Sequence, residues 1–308
     1  MTTKKIIILV SIFMLVITLS SFLSKKDKSW EATVIPPGTL KIDTNLYMDY
    51  IENTNFYWFE YMCWTERVFG DSSITYLETK PFENSWLFED TCLYNYSDYY
   101  LRHPAYRDYP VVNITQKQVI DYLNWRSDRV LELLLIREGI LEHDPRQDKD
   151  YYVSIENYFA EKLKTKGDKK ITIYPHYRLP TEAEWKKGKV FYDNYNATRI
   201  KKLRKKYCEP LLKDDTLAIR YNFNPCIEDS TRETSDPMLP TTCYKSRKLK
   251  LGTHFYGNVS EWLFEEHKII GGNWKDTTTT HFSTAISATQ PATTIGFRAV
   301  CEWKTYQK

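Results

Sequence analysis

Hydrophobic and polar positions divide the chain into four rhythms. Residues 6–23, IIILVSIFMLVITLSSFL, are an almost unbroken apolar run, opened by Lys4-Lys5 and closed by Lys25-Lys26. A basic start followed by such a run reads as a cleaved signal peptide or a membrane anchor spanning 1–28. Either way the rest of the chain is exported. Residues 29–44, SWEATVIPPGTLKIDT, read as a tether entering a first strand, and NLYMDY continues with strand-like alternation. Asn53 or Thr54 then caps a helix whose predicted apolar side carries Phe56, Phe59, Met62 and Cys63. LYNYSDYYLRHPAYRDYP, at 93–110, reads as an aromatic, proline-punctuated loop open to solvent.

The clearest helical pattern begins at Thr115. Thr115 and Gln118 make a capping box, Val119, Ile120, Leu123, Val130 and Leu134 follow at helical spacing, and Gly139 is the stop. A second capping box lies in RLPTEAEW, where Thr181 caps and Glu184 reaches back, with Pro180 just outside. Between and after these, 142–172 and 186–220 lack clear patterning and read as insertions, the second holding the basic stretch RIKKLRKK as a solvated face. Beyond 221 the chain turns to Pro, Asn, Thr and Gly punctuation with short β-like runs. Helices early, short antiparallel strands late and no βαβ alternation predict a single α+β domain.

Composition changes this picture in two places. There are 24 Tyr, 14 Phe and 9 Trp against 10 Gly, which suits a loop-rich fold held by ring packing, or a binding surface. A net charge of +3 favours neither nucleic acid nor an acidic substrate. The six cysteines, at 63, 92, 208, 226, 243 and 301, form an even set with no CxxC pair, so export favours disulfides over metal binding.

Five segments occur in order: YPVVNIT with the helix reaching WR, then YRLPTEAEW, GNVSEW, GGNW and GFRAV. This set resembles the formylglycine-generating enzyme, or sulfatase-modifying factor, family over residues 35–303. RHPAYRDYPVV and WRSDRVLELLLIREGIL are similar to gliding-motility and type IX secretion lipoproteins of Bacteroidetes. The lipidation cysteine of those proteins is missing, since no cysteine precedes Cys63. The resemblance implies a compact fold related to C-type lectins, with much irregular structure. Its motif positions here are Arg178, Thr181, Glu184, Trp185, Asn258, Trp262, Gly271, Gly272, Trp274 and Arg298, the last expected to anchor a buried carboxylate.

In catalytic members a cysteine pair follows the glycine pair and binds copper. The resemblance places those positions at Asp276 and His281, and neither is a thiol. Copper(I) favours soft thiolates, so copper is disfavoured and no catalytic residue is assigned. Family members also hold calcium, and the corresponding positions are His254, Gly257, Val259 and Glu261. An imidazole at His254 is a poor ligand for a hard cation, which leaves calcium open but weakened. The function implied is an exported, membrane-tethered, non-catalytic binding or scaffold protein with a partner in the cell envelope. The alternative is an oxidase of the family that acts on a protein cysteine.

Overall fold

A computed structural model describes residues 34–89, 93–207, 252, 255–276 and 282–307. The apolar run at 6–23, Cys92, Cys208, Cys226, Cys243, His254 and His281 lie outside the described residues. So do Thr277 to Thr280.

The chain enters through a hairpin of β1 (Thr39–Asp43) and β2 (Leu46–Asp49). Helix α1 (Asn55–Phe69) follows, and Thr54 Oγ1 caps it by accepting from the Tyr57 N–H at 3.4 Å. Its buried face corrects the expectation. Trp58, Tyr61, Met62, Thr65 and Val68 point inward, whereas Phe56, Phe59 and Cys63 are exposed. The true stripe steps by three or four residues from Trp58, whose ring stacks on Tyr122 with centroids 5.3 Å apart. The buried stripe thus starts two residues after Phe56.

Short helix α2 (Ile74–Leu77), a 3-10 turn at Glu83–Phe88, α3 (Tyr96–Tyr99) and a second 3-10 turn at Pro104–Tyr106 carry the chain to β-free ground. The aromatic stretch from 93 is not an open loop. Leu93, Tyr96 and Tyr100 are buried with Trp86, Val112 and Val259, and Tyr106, Tyr109 and Trp274 pack against them. Trp86 meets Tyr96 edge-on at 5.0 Å. Rings packed on rings remove most of the expected surface, and of these tyrosines Tyr94 and Tyr99 stay exposed.

Helix α4 (Gln116–Arg137) forms with the capping box complete, the Thr115 side chain bonding to the Gln118 N–H and the Gln118 side chain to the Thr115 N–H. Val119, Leu123, Val130 and Leu134 are buried, and Ile120 faces outward. Gly139, at φ +73°, ends the helix with its N–H on the Ile136 carbonyl at 3.0 Å. Residues 142–172 hold α5 (Ile155–Phe159) and dock onto α4, the Ile155 N–H donating to Asp128 Oδ1 at 2.8 Å.

β3 (Ile173–Arg178) leads into α6 (Glu182–Tyr207). The part of the expected insertion from 186 to 207 is therefore unbroken helix. Tyr192 is fully buried and Asn196 exchanges two hydrogen bonds with Gly252, at 2.7 and 3.0 Å, which binds the second half of the helix to the core. Gly188 allows its close approach, since a Cβ there would lie 2.1 Å from Met48 Sδ.

The remaining strands are β4 (Ser260–Trp262), β5 (Lys268–Ile270), β6 (Ile286–Ser287), β7 (Ile295–Gly296) and β8 (Val300–Thr305). One sheet has the order β1-β2-β8-β3, antiparallel throughout, with β3 paired along β8 from Ile173↔Thr305 to Arg178↔Val300. The other has the order β6-β5-β4-β7, where β4 and β7 run parallel, an exception to the expected antiparallel pattern. Met48, Trp185, Tyr192, Phe255, Leu263, Ile270 and Val300 fill a core that draws on both sheets and α6. The fold is α+β, with short strands and long irregular stretches.

The corrected face of α1 makes a prediction. Met62→Ala removes a side chain that is 3% exposed and should cost about 2–5 kcal/mol of unfolding free energy. Phe59→Ala, at 40% exposure, should change it by less than about 0.5 kcal/mol. Urea denaturation of both variants checks this, and the reverse order would restore the Phe59 face.

Candidate functional site

The five ordered motifs converge where β4, β5 and β7 meet the loop that follows β5. Gly257 and Asn258 have φ of +77° and +62°, so GNVSEW enters β4 through a tight left-handed turn. Gly271 and Gly272, at +104° and +72°, make the matching turn after β5. Space requires glycine as well: a Cβ on Gly272 would meet the Phe282 ring at 2.1 Å. The two turns are stitched together by the backbone. Gly257 N–H donates to the Gly271 carbonyl at 2.8 Å, and Trp274 N–H donates to the Asn258 carbonyl at 2.9 Å.

Under these turns lies a buried charge network. Glu261, in the middle of β4, accepts from Arg298 Nη2 at 2.7 Å and from Arg298 Nε at 2.9 and 3.0 Å. Its Oε2 also accepts from Trp185 Nε1 at 2.6 Å. Side-chain exposure is 0% for Arg298 and 1% for Glu261. The expectation that Arg298 holds a buried carboxylate thus acquires a named partner. Arg298 also lies over the Phe255 ring at 3.9 Å.

A second carboxylate stands beside this pair, and the sequence gave no warning of it. Glu52 is fully buried, accepting from Asn258 Nδ2 at 2.7 Å and from the Val259 N–H at 3.4 Å. Burial, then the charge of Glu261, push its carboxyl well above the usual glutamate range. Two buried carboxyls lie beside one guanidinium here, which favours the neutral form of Glu52.

The other motif residues have structural partners. Thr181 and Glu184 form the capping box of α6, at 2.9 and 3.2 Å. Arg178 grips Glu184 with two bonds of 2.7 Å and reaches Glu302 at 3.1 Å. Trp262 donates through Nε1 to the Ile114 carbonyl at 3.0 Å, which ties β4 to the start of α4.

The family implies calcium at His254, Gly257, Val259 and Glu261. His254 lies outside the described residues. The Glu261 carboxylate already serves a guanidinium and an indole N–H. A divalent cation on that carboxylate would compete with the Arg298 guanidinium, which bonds to it at 2.7 Å. Engaged in this way, the Glu261 carboxylate does not fit a calcium ligand.

The implied copper position fares no better. Asp276 Oδ2 accepts from the Asn273 N–H at 2.7 Å, and Asp276 N–H donates back to the Asn273 carbonyl at 3.1 Å, closing the GGNW turn. Lys275 leaves that turn to pair with Glu89 at 2.6 Å. Cys63 and Cys301 are free thiols, and burial raises both above the ordinary thiol range. Cys301 is on β8 between Tyr47 and Tyr177, in the other sheet. The described residues supply no thiolate to the loop.

Residues 14–303 match the family described as sulfatase-modifying factor enzyme 1-like domain, and the chain belongs to that family. Among solved structures it is similar to the crystal structure of CarF, with 19% identity and a TM-score of 0.36, over 83% of this chain and 86% of that one. Comparison with curated proteins finds no match.

The raised Glu52 carboxyl gives a pH prediction with a definite sign. The folded chain holds this proton after the unfolded chain has released it, so wild-type stability falls as pH rises from the ordinary glutamate range. Glu52→Gln keeps the shape of the neutral acid and removes that fall. Between about pH 5 and about pH 8 its denaturation midpoint should decline less than that of the wild type. Equal slopes would show that Glu52 is ionised in the fold.

Proposed function

We propose that the chain is a non-catalytic member of the sulfatase-modifying factor family, exported and tethered through its N-terminal segment, that acts as a binding or scaffold protein of the cell envelope. The carrying observation is the pair Asn273–Asp276. Where catalytic members present a copper-binding thiol, this chain has a carboxylate whose oxygen closes the GGNW turn at 2.7 Å. Copper(I) chemistry needs soft sulfur ligands, and an aspartate with an imidazole five residues later is a hard pair. The buried pair Arg298–Glu261 supports the same reading, because it gives the remaining motifs a structural purpose that requires no substrate.

Tethering rests on the apolar run at 6–23. No helix among the described residues is long and apolar enough to cross a membrane, and that run lies outside them. A role near gliding motility or type IX secretion rests on the likeness of RHPAYRDYPVV and WRSDRVLELLLIREGIL to lipoproteins of those systems. The partner is a protein of the envelope, and the balanced charge favours no nucleic-acid role.

The test is incubation of the purified, reduced chain with copper(I), oxygen and a Cys-x-Pro-x-Arg peptide. Mass spectrometry should find the peptide cysteine unchanged over many hours. Conversion of that cysteine to formylglycine at a rate above the copper-only control would overturn the proposal in favour of an oxidase.

A further inference from the structure

A cavity of about 200 Å³ lies between the segment after β2, helix α1 and helix α4, and no residue of the GGNW loop lines it. At roughly 30 Å³ per water it has room for about six waters, or for a small organic molecule. Its aromatic lining is Tyr50, Tyr57, Tyr122 and Trp125, the last two with centroids 5.6 Å apart.

The charges around it are mostly neutralised. Arg126 holds Asp49 through two bonds, of 2.7 and 2.8 Å, and its guanidinium lies 4.1 Å over the Tyr177 ring, which does not line the cavity. Arg129 pairs with Glu132 and the Val153 carbonyl and lies 4.3 Å over the ring of Trp64, also outside the lining. Glu52, also in the lining, is engaged by Asn258 Nδ2 at 2.7 Å and the Val259 N–H at 3.4 Å, and burial raises its carboxyl. Glu60 differs from all of these. It is exposed, has no hydrogen bond or ion pair among the described residues, and feels burial alone, which raises its carboxyl. Asn53 Oδ1 is a further acceptor without a donor, on a side chain 3% exposed.

An unneutralised carboxylate beside aromatic rings suits a cation. Trp125 Nε1 and Arg129 Nε are donors without acceptors, which an anion would use. An anion, however, would stand next to Glu60 with both guanidinium groups already matched by carboxylates. We propose that this cavity binds a small alkylammonium, with Glu60 as its counter-ion and Tyr57, Tyr122 and Trp125 as its walls. The group comes from a free amine or from a lysine side chain of a protein. The proposal does not depend on how the GGNW loop is read.

Saturation-transfer NMR on the full chain tests it, with n-butylammonium, n-butanol, butyrate and the peptide acetyl-Gly-Lys-Gly-amide as separate probes. Butylammonium should bind, and Glu60→Gln, a change at an exposed residue, should weaken it by about fivefold or more. Binding of the lysine peptide as well identifies a protein side chain as the source, and binding of butylammonium alone identifies a free amine. Equal signals from butanol or butyrate, unchanged binding in Glu60→Gln, or no signal from either amine would overturn the proposal.

Discussion

The bond between Arg298 and Glu261 is the constraint on which the rest of the structure depends. Both side chains are removed from water, so each would be costly alone, and breaking such a pair typically costs about 3–5 kcal/mol. Its position matters more than its strength. Arg298 lies in the short link from β7 to β8, which belong to different sheets, and Glu261 lies on β4. The Trp185 indole brings α6 to the same carboxylate, while Arg298 Nη1 reaches the Asp49 carbonyl at the end of β2 at 3.4 Å. A single ion pair therefore joins two sheets and a helix whose own strands are too short to hold them.

That arrangement separates the fold from the chemistry of its family. GNVSEW, GGNW and GFRAV are needed to build the pair and the two glycine turns above it, whatever the loop beyond them does. Asp276 completes the second turn with a side-chain bond to the Asn273 N–H. These contacts hold the scaffold of the family together through side chains and backbone alone.

Legibility in the sequence followed the distance over which each interaction acts. Both capping boxes, Thr115 with Gln118 and Thr181 with Glu184, are local and were readable. The start of α1 at Thr54 was readable for the same reason. Its buried face was not, because Phe56, Trp58 and Phe59 are all apolar and only the contact with Tyr122 on α4 decides among them. The aromatic stretch at 93–110 shows no burial pattern in sequence, since rings that pack on one another leave no alternation to detect. Glu52 was the hardest case. Its partners, Asn258 and Val259, are more than 200 residues away in sequence, and no local pattern marks a glutamate as a buried acid.

The central claim is that a guanidinium, and not a metal ion, neutralises Glu261. Thermal melts of the wild-type chain and of Glu261→Gln, each with excess EDTA and with added calcium, test it most directly. The wild-type Tm should be the same in both solutions, with Glu261→Gln lower than wild type in each. A calcium-dependent rise in the wild-type Tm that EDTA reverses and Glu261→Gln lacks would contradict it.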